Sequence, residues 1–214
     1  MLELGVKTLI AYLLGALLGS LVLGRLRGVD IRSQGSGNAG ATNALRTQGW
    51  RFALAVFVID AGKGAFAVTY LPRALLPGIG LDPALAREWL TLACGFAVIL
   101  GHVYPVWFAF RGGKGVATMV GVIAGLDPRL LLPLIVSWLT VLVLTGYVGL
   151  ASMLAGAVLV AAVCWLEPKD AALATFCLAI ELLVVFTHRK NIARMYAGKE
   201  NRVRRLWLFR SRTA

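Results

Sequence analysis

The sequence predicts an all-α integral membrane protein with about seven transmembrane helices. Hydrophobic residues occupy 59% of its 214 positions, and the mean hydropathy of +0.79 is far above that of soluble globular domains. The apolar residues are gathered in runs, whereas the formal charge of +12 is carried mostly by the segments between them. We expect a single polytopic domain over residues 1–214.

A membrane-spanning helix needs about 20 apolar residues. The candidate spans are residues 5–24, 52–71, 89–109, 115–126, 130–146, 148–166 and 171–187. The run at 115–126 is short enough to be a half-span or a re-entrant segment. The first run carries Glu3 and Lys7 at its N-terminal end and is followed by Arg25 and Arg27, so we interpret it as an uncleaved span and not as a signal peptide.

Basic residues are distributed unevenly between alternate segments. Residues 25–51, the loop at 111–114 and the tail after 188 carry five, two and nine of the 22 basic residues. The positive-inside rule therefore places these segments and the C-terminus in the cytoplasm and the N-terminus outside. Anionic lipid explains the basic charge, and no nucleic-acid motif is present. Basic and bulky apolar residues alternate over 202–210, which predicts a membrane-surface segment.

The loop between the third and fourth runs combines glycines with cations. Its sequence is Arg111-Gly112-Gly113-Lys114-Gly115. Glycine lets the backbone approach a ligand closely, and cations beside the unpaired N–H groups of a following helix attract an anion. The loop is therefore a candidate anion site. A flexible cationic turn between two membrane helices fits this loop equally well.

The first basic loop, residues 35–46, combines small residues, hydroxyls, amides and a cation. The side chains that can donate hydrogen bonds to anionic oxygens are Ser36, Asn38, Thr42 and Asn43. Arg46 can bind a phosphate through two parallel hydrogen bonds. A solvated loop that uses these residues in turns and caps is the alternative. We favour function because so much glycine lies beside one arginine, although the loop lacks the Walker pattern.

The third basic segment places His188, Asn191 and Arg194 at positions i, i+3 and i+6, broadly on one side of a helix. A histidine there could accept a proton, orient a substrate or contact a phosphate. A cationic helix end that faces lipid headgroups is equally compatible with this segment. His102, before the glycine loop, is the second of two histidines. Without a carboxylate cluster, these histidines predict no metal site, and we expect no cofactor.

Three ionisable residues lie inside the apolar runs. Asp60 and Lys63 are three residues apart, so we interpret them as an ion pair on one helix. Glu181, in the last run, is expected to pair with a cation on another helix.

Other classes of membrane protein fit less well. The clustered aspartates of CDP-alcohol phosphotransferases are absent, as is an H-x-x-x-x-D pattern after either histidine. A secondary transporter would more often show internal repeats, and we find no convincing one. A carrier for a phosphorylated small molecule and a lipid-scaffold protein remain as alternatives to an enzyme.

Three motifs resemble those of the bacterial acylphosphate:glycerol-3-phosphate acyltransferase family. They are residues 36–43 with Arg46, residues 101–118 around the glycine loop, and the His188-x-x-Asn-x-x-Arg194 pattern with Glu200. The resemblance covers essentially the whole chain. It implies a seven-span inner-membrane enzyme with a cytoplasm-facing site. Such an enzyme transfers an acyl group from acyl phosphate to the 1-hydroxyl of glycerol 3-phosphate, giving lysophosphatidic acid and phosphate.

The resemblance also implies roles for individual residues. Ser36 and Arg46 are expected to be required for activity, with Asn38, Thr42 and Asn43 beside a phosphate. The loop of Gly112, Gly113, Lys114 and Gly115 is expected to bind glycerol 3-phosphate, with Lys114 on its phosphate, and His102 and Arg194 are assigned to substrate binding. The remaining assignments are His188 and Asn191 as critical residues, Glu200 as a structural residue and Ser152 as a pocket residue.

The sequence departs from the family pattern at Gly146 and Gly149, where relatives often carry a basic residue and a serine. We expect neither histidine to have a carboxylate partner, and acyl phosphate already has a good leaving group. We therefore expect direct attack by the substrate hydroxyl without an acyl-enzyme. The predicted partners are the two substrates and the lipid bilayer, and the oligomeric state is left open.

Overall fold

The computed structural model describes residues 1–203 and 208, and its regular elements are helical, as the composition predicted. The α-helices are α1 (Leu2–Gly15), α2 (Gly19–Leu26), α3 (Ala41–Gln48), α4 (Trp50–Thr69), α5 (Arg87–Val103), α6 (Val116–Leu126), α7 (Leu131–Thr145), α8 (Val148–Leu166), α9 (Ala171–Thr187) and α10 (Arg189–Tyr196). Short 3-10 turns occupy Ile31–Ser33, Leu71–Arg73, Val106–Phe108 and Pro128–Leu130. Most of the predicted surface segment at 202–210 lies outside the described residues.

Four helical segments of the described chain are long and apolar enough to cross a membrane, and two bent helix pairs could bring that number to six. The four segments are Trp50–Arg73, Arg87–Phe108, Pro128–Thr145 and Val148–Leu166. The pair α9 and α10 is bent by 52°. Helix α6 has only 11 residues, in agreement with the short run predicted at 115–126.

The first predicted span, residues 5–24, is wrong as one continuous helix. The chain breaks after Gly15 and resumes at Gly19, and α1 and α2 are bent by 47° relative to each other. At membrane depth, non-helical backbone is tolerated only where the protein satisfies its polar groups. Lys63 of α4 does so here, because its Nζ donates to the carbonyl oxygens of Gly15 at 2.8 Å and Leu17 at 3.0 Å.

The chain forms two compact units, Met1–Pro128 and Arg129–Ala214. In the first unit, α4 packs against α6 and α1 packs against α5. Glycines allow the closest approaches between α4 and α6. A Cβ on Gly64 would overlap the carbonyl oxygen of Thr118, and a Cβ on Gly121 would overlap that of Ala61. Small residues at such crossings are typical of helix packing in membranes.

In the second unit, α8 packs against both α7 and α9, and α10 contacts α8 and α9. Glu181 of α9 lies buried against Gly156 of α8, where a Cβ would overlap its Oε2 atom. This oxygen has no hydrogen-bond partner among residues 1–203 and 208. Within the described part of the chain, the expected pairing of Glu181 with a cation is not found, and a glycine faces the carboxyl group instead.

Candidate active site

The first loop displays Ser36 between two glycines with left-handed backbone conformations. Gly35 has φ of 58° and Gly37 has φ of 72°, values that other residues rarely adopt. The Ser36 side chain is exposed at this bend, and the Arg46 side chain is exposed in the last turn of α3. Asn38 and Thr42 are partly buried on either side of the N-terminus of α3.

Asn43 holds the Ser36 bend together from within α3. Its Oδ1 accepts the backbone N–H of Ser36 at 2.9 Å, and its Nδ2 donates to the carbonyl oxygens of Ile31 and Gln34 at 2.9 and 3.0 Å. The side chain is only 1% exposed. The structure therefore uses the amide of Asn43 inside the loop, which differs from the predicted contact with substrate.

Arg32 joins the first loop to the glycine loop. Its Nη2 lies 2.7 Å from Asp30 Oδ2, and its Nη1 donates to the carbonyl oxygens of Phe108 and Arg111 at 3.4 and 3.3 Å. The Arg32 guanidinium holds the pKa of the Asp30 carboxyl below its ordinary value. A cavity of about 570 Å³ lies between the loops and is lined by Arg25, Arg32, Gly37, Arg111 and Gly112, among others. The first unit thus brings two of the three predicted motifs together.

The glycine loop lies against the C-terminal end of α5. The N–H groups of Gly112 and Gly113 donate to the carbonyl oxygens of Val103 at 3.2 Å and His102 at 3.1 Å. A Cβ on Gly113 would overlap Nε2 of His102, and one on Gly112 would overlap the His102 carbonyl oxygen. These glycines are therefore needed for close packing on α5, and their N–H groups are engaged there.

The end of the loop opens α6. Gly115 is the N-cap residue, with φ of 85°, and the half-buried Lys114 precedes it. The first N–H groups of an α-helix have no partner within the helix, and they favour an anion. The hydroxyl of Thr118, in this first turn, is buried and has no hydrogen-bond partner within the described chain.

A buried cluster of Asp60, Lys63 and His102 lies behind the glycine loop. Lys63 Nζ is 2.9 Å from Asp60 Oδ1, so the predicted ion pair is confirmed. Lys63 Nζ is also 3.1 Å from Nδ1 of His102. His102 is 2% exposed and belongs to this cluster, and its Nδ1 lies 3.5 Å from Asp60 Oδ1. The expectation that neither histidine has a carboxylate partner is therefore wrong for His102, because Asp60 of α4 lies beside it.

In the second unit, His188 lies buried between α9 and α10. Its Nδ1 is 2.8 Å from the carbonyl oxygen of Val184. A carbonyl oxygen only accepts hydrogen bonds, so Nδ1 carries the hydrogen, and in the neutral ring the lone pair is on Nε2. This arrangement fixes the ring and leaves Nε2 as its hydrogen-bond acceptor.

Glu200 holds the two other polar residues of the third motif. Its Oε1 accepts from Asn191 Nδ2 at 2.8 Å, and its Oε2 accepts from Arg194 Nε at 2.6 Å. The Glu200 side chain is 4% exposed. These bonds give Glu200 the geometry that a structural role requires.

Ser152 and Gly149 of α8 belong to the surroundings of this motif. Ser152 is 3% exposed, and its Oγ donates to the Val148 carbonyl oxygen at 3.0 Å and accepts from Trp138 Nε1 at 3.3 Å. A Cβ on Gly149 would lie 3.0 Å from Asn191 Nδ2. Glycine at 149 therefore lets α8 lie close to Asn191.

Two features of the site were missed in the sequence. The bridging role of Arg32 has no sequence signal that separates it from the other loop arginines. The link from Lys63 to His102 was missed because the two residues lie on different helices, although the ionisable pair inside an apolar run was visible. Among the described residues, no three His, Cys, Asp or Glu side chains are grouped as metal ligands.

Fold and site together define an all-helical membrane protein with clusters of cationic, amide and hydroxyl side chains suited to anionic oxygens. The family model described as "Glycerol-3-phosphate acyltransferase" matches residues 6–198. Glycerol-3-phosphate acyltransferases of Geotalea daltonii and Agrobacterium fabrum are 42% and 38% identical to the chain. The alignments cover 89% and 94% of this chain and 93% and 92% of the relatives.

A solved structure of another glycerol 3-phosphate acyltransferase also resembles this chain. The crystal structure of PlsY (YgiH), an integral membrane glycerol 3-phosphate acyltransferase, in its glycerol 3-phosphate form matches with a TM-score of 0.79 and 33% identity. The match covers 93% of this chain and 94% of that one. The lysophosphatidic acid form of the same protein matches with a TM-score of 0.78. This chain belongs to the glycerol-3-phosphate acyltransferase family.

Proposed function

We propose that this chain transfers an acyl group from acyl phosphate to the 1-hydroxyl of glycerol 3-phosphate, giving lysophosphatidic acid and inorganic phosphate. Family membership supports the acceptor and the product, since the solved relative binds glycerol 3-phosphate in one form and lysophosphatidic acid in the other. The choice of acyl phosphate as donor rests on the motif resemblance.

The observation that carries the proposal is the geometry of the glycine loop. Its glycines are held on α5, and Lys114 and Gly115 lead directly into the N-terminus of α6. A helix N-terminus beside an ammonium group favours a phosphate dianion. We assign the phosphate of glycerol 3-phosphate to Lys114 and the N-terminus of α6.

The main physical task of the enzyme is to hold two anions close together. Two unit charges 4 Å apart interact with about 4 kcal/mol at an effective dielectric constant of 20, so cations must offset the repulsion between substrates. Lys114 would neutralise the acceptor phosphate, and Arg46 would neutralise the donor phosphate. Charge screening and positioning together lower the barrier.

The chemical step needs no covalent enzyme intermediate. The 1-hydroxyl oxygen attacks the acyl carbonyl carbon, a new C–O ester bond forms, and the bond from that carbon to the phosphate oxygen breaks. Phosphate leaves with the bonding electrons and takes up the hydroxyl proton. His188 and Asn191 orient the reacting groups, and Ser36 holds a substrate oxygen. Trapping a covalent acyl group on Ser36 with labelled acyl phosphate would overturn this mechanism.

The remaining site residues have supporting roles in the proposal. Asn38 and Thr42 contact a phosphate oxygen, Arg194 contributes charge, and Ser152 lines the acyl pocket. Asn43 and His102, whose side chains are engaged inside the first unit, position the loops in this proposal.

We further propose seven spans over a single domain of residues 1–214. Six spans are reached when each bent pair counts as one, and α6 would be the seventh. The distribution of basic residues supports an N-terminus outside, a cytoplasmic C-terminus and a cytoplasm-facing site in the bacterial inner membrane.

The test uses the purified chain in detergent with palmitoyl phosphate and glycerol 3-phosphate, followed by measurement of phosphate and lysophosphatidic acid. We expect equal amounts of both products, and no lysophosphatidic acid when palmitoyl-CoA replaces palmitoyl phosphate. Formation of lysophosphatidic acid from palmitoyl-CoA and not from palmitoyl phosphate would overturn the assignment of acyl phosphate as the donor. Absence of product from either donor, with uptake of glycerol 3-phosphate into reconstituted vesicles, would favour a carrier. Absence of both would leave a scaffold protein.

A further inference from the structure

The break between α1 and α2 is stabilised by one lysine of α4. Lys63 Nζ donates to the carbonyl oxygens of Gly15 and Leu17, which the interruption leaves without helical partners. Asp60 Oδ1 accepts the N–H of Gly19, the first residue of α2, at 3.1 Å. Lys63 is 6% exposed and Asp60 is fully buried. One ion pair therefore satisfies both sides of the break.

The same ion pair extends to the glycine loop through His102. Lys63 Nζ lies 3.1 Å from Nδ1 of His102. A lysine ammonium only donates, so Nδ1 accepts when it bonds to Lys63, and the same nitrogen also lies 3.5 Å from Asp60 Oδ1. The Nε2 edge is packed against Gly113, and the His102 carbonyl oxygen accepts the Gly113 N–H at 3.1 Å. The ring and the backbone of His102 thus both contact the loop.

The pair also reaches the first loop through α2. Ser20, directly after Gly19, donates from Oγ to the Ala39 carbonyl oxygen at 2.6 Å. Leu18, Leu21 and Ala39 form a buried apolar cluster with Phe108 packed against it. The position of α2, which Asp60 and Lys63 fix, therefore fixes part of the loop that carries Ser36.

We infer that Asp60, Lys63 and His102 are positioning residues for glycerol 3-phosphate, acting through the Gly112–Gly115 loop. This inference rests on the proposal that the loop binds the acceptor phosphate. The cluster is buried and lies behind the loop, so it acts on the substrate only through the backbone that it holds. Burying two charges costs free energy, and their mutual attraction offsets this cost only when their geometry is fixed. The ion pair of Asp60 and Lys63 is therefore a rigid point that holds the loop.

The first unit contains a matched control for this cluster. Lys7 is 1% exposed, pairs with Glu3 Oε1 at 2.8 Å and donates to the Pro72 carbonyl oxygen at 3.0 Å. It is thus also a buried lysine that joins a carboxylate on its own helix to a backbone carbonyl elsewhere, but it is not part of the His102 cluster. Lys63→Met removes the ammonium beside the buried Asp60, and Lys7→Met removes one from the buried Glu3, which keeps a second cation, Arg87, at 2.6 Å. Both variants should lower the melting temperature.

The decisive measurement is KM for glycerol 3-phosphate at saturating acyl phosphate. We expect Lys63→Met to raise this KM by about tenfold, because a misplacement of the order of 1 Å is enough for such an effect. Lys7→Met should leave KM unchanged. A folded Lys63→Met protein with wild-type KM would overturn the inference.

Two further variants cover the case in which Lys63→Met does not fold. The pair Asp60→Asn with Lys63→Met removes both charges and keeps an acceptor for the Gly19 N–H. His102→Asn keeps an acceptor for Lys63 and removes the ring edge beside Gly113. Either variant, once folded, must show the raised KM for glycerol 3-phosphate, and an unchanged KM in either would contradict the inference.

Lys114→Ala separates this inference from the proposed function. If Lys114→Ala raises KM for glycerol 3-phosphate and Lys63→Met does not, the loop is the acceptor site and the positioning role is wrong. If Lys114→Ala leaves KM unchanged, the loop assignment itself fails and the inference fails with it. When both raise KM, the double variant should raise it by less than the product of the two effects, because coupled residues are not additive. If the two effects on KM instead multiply fully in the double variant, Lys63 acts by another route.

Discussion

The backbone N–H of Ser36 donates a 2.9 Å hydrogen bond to the side-chain oxygen of Asn43, a buried residue of α3. Asn43 also bonds two carbonyl oxygens of the same loop through its amide nitrogen. The exposed Ser36 is therefore placed by a residue that is itself inaccessible. A group that must meet a substrate in one orientation needs such support from its neighbours.

Asn43→Ala should reduce both activity and stability. The substitution removes the partner of the Ser36 N–H and of the carbonyl groups of Ile31 and Gln34. The Ile31 group is buried, and leaving such a group unsatisfied costs about 1–3 kcal/mol. We expect kcat to fall by about tenfold or more as the Ser36 bend loosens. The measurements are kcat from phosphate release and the melting temperature in detergent.

Gln48→Ala is the matched control for Asn43→Ala. Gln48 also joins α3 to the loop, since its Nε2 donates to Gln34 Oε1 at 2.9 Å, but it is not bonded to Ser36. We expect Gln48→Ala to keep kcat within about twofold of wild type, because a single partly exposed bond contributes only about 1 kcal/mol. Equal losses of kcat in the two variants would show that the Ser36 anchor has no special role.

The activity of Glu200 variants should fall with the number of side-chain hydrogen bonds that each substitution removes. Glu200→Gln keeps an acceptor for Asn191 but loses the charge-assisted bond to Arg194, whereas Glu200→Ala loses both. We expect kcat/KM to fall a few-fold for Gln and about tenfold or more for Ala. Steady-state kinetics with both substrates checks the order.

Glu167→Gln is the control for these variants because Glu167 also pairs with an arginine, Arg129, in the second unit. The Arg129 side chain is 69% exposed, and exposed ion pairs contribute little. We expect wild-type kcat/KM. A Glu200→Ala protein that matches Glu167→Gln in activity would contradict the supporting role of Glu200.

The positions of the apolar helices could be predicted from the sequence because each depends on a local run of residues. The runs predicted at 148–166 and 171–187 coincide with α8 and α9. The break after Gly15 could not be predicted, because apolar residues continue through positions 16–18. Lys63, which stabilises the break, is a residue of another helix, and only the tertiary structure brings it there.

The candidate site shows the same division between local and tertiary information. Residue types indicated which side chains suit anionic oxygens, and the structure brings the Ser36 loop and the glycine loop together through Arg32. Sequence patterns cannot tell whether a polar side chain faces a ligand or is engaged inside the protein. Asn43 and His102 were expected to contact substrate, and the structure adds internal hydrogen bonds for both that the sequence did not indicate.

Gly149→Ala should disturb Asn191 and lower activity. The added Cβ would lie 3.0 Å from Asn191 Nδ2, a nitrogen already held by Glu200. Because Asn191 cannot move away without weakening that bond, we expect kcat/KM to fall by about tenfold. Steady-state kinetics and the melting temperature are the measurements.

Gly62→Ala is the matched control for Gly149→Ala. Gly62 also lies within a helix, α4, and a Cβ there would meet nothing within 4 Å. Replacing this glycine should keep activity and stabilise the helix by roughly 0.5–1 kcal/mol. Wild-type kcat/KM in Gly149→Ala would show that Asn191 can adjust and that glycine is not required there.

The Asp30–Arg32 pair should make a pH-dependent contribution to stability. The Arg32 guanidinium lowers the pKa of Asp30 from its ordinary value of 3.8, so the ionised carboxylate favours the folded state. This contribution is fully present above the ordinary pKa and is lost as pH falls through the lower pKa of the folded protein. Asp30→Asn removes the charge but keeps an oxygen that can accept the Arg32 backbone N–H.

We therefore expect the wild-type protein to have a slightly higher melting temperature than Asp30→Asn at pH 7, and the difference to disappear as pH falls well below 3.8. The effect should be small and should weaken in high salt, because the Asp30 side chain is 48% exposed. In an Arg32→Ala background, Asp30→Asn should no longer lower the melting temperature at pH 7. A difference that persists at low pH, or without Arg32, would show that Asp30 stabilises the loop by hydrogen bonding and not by its charge.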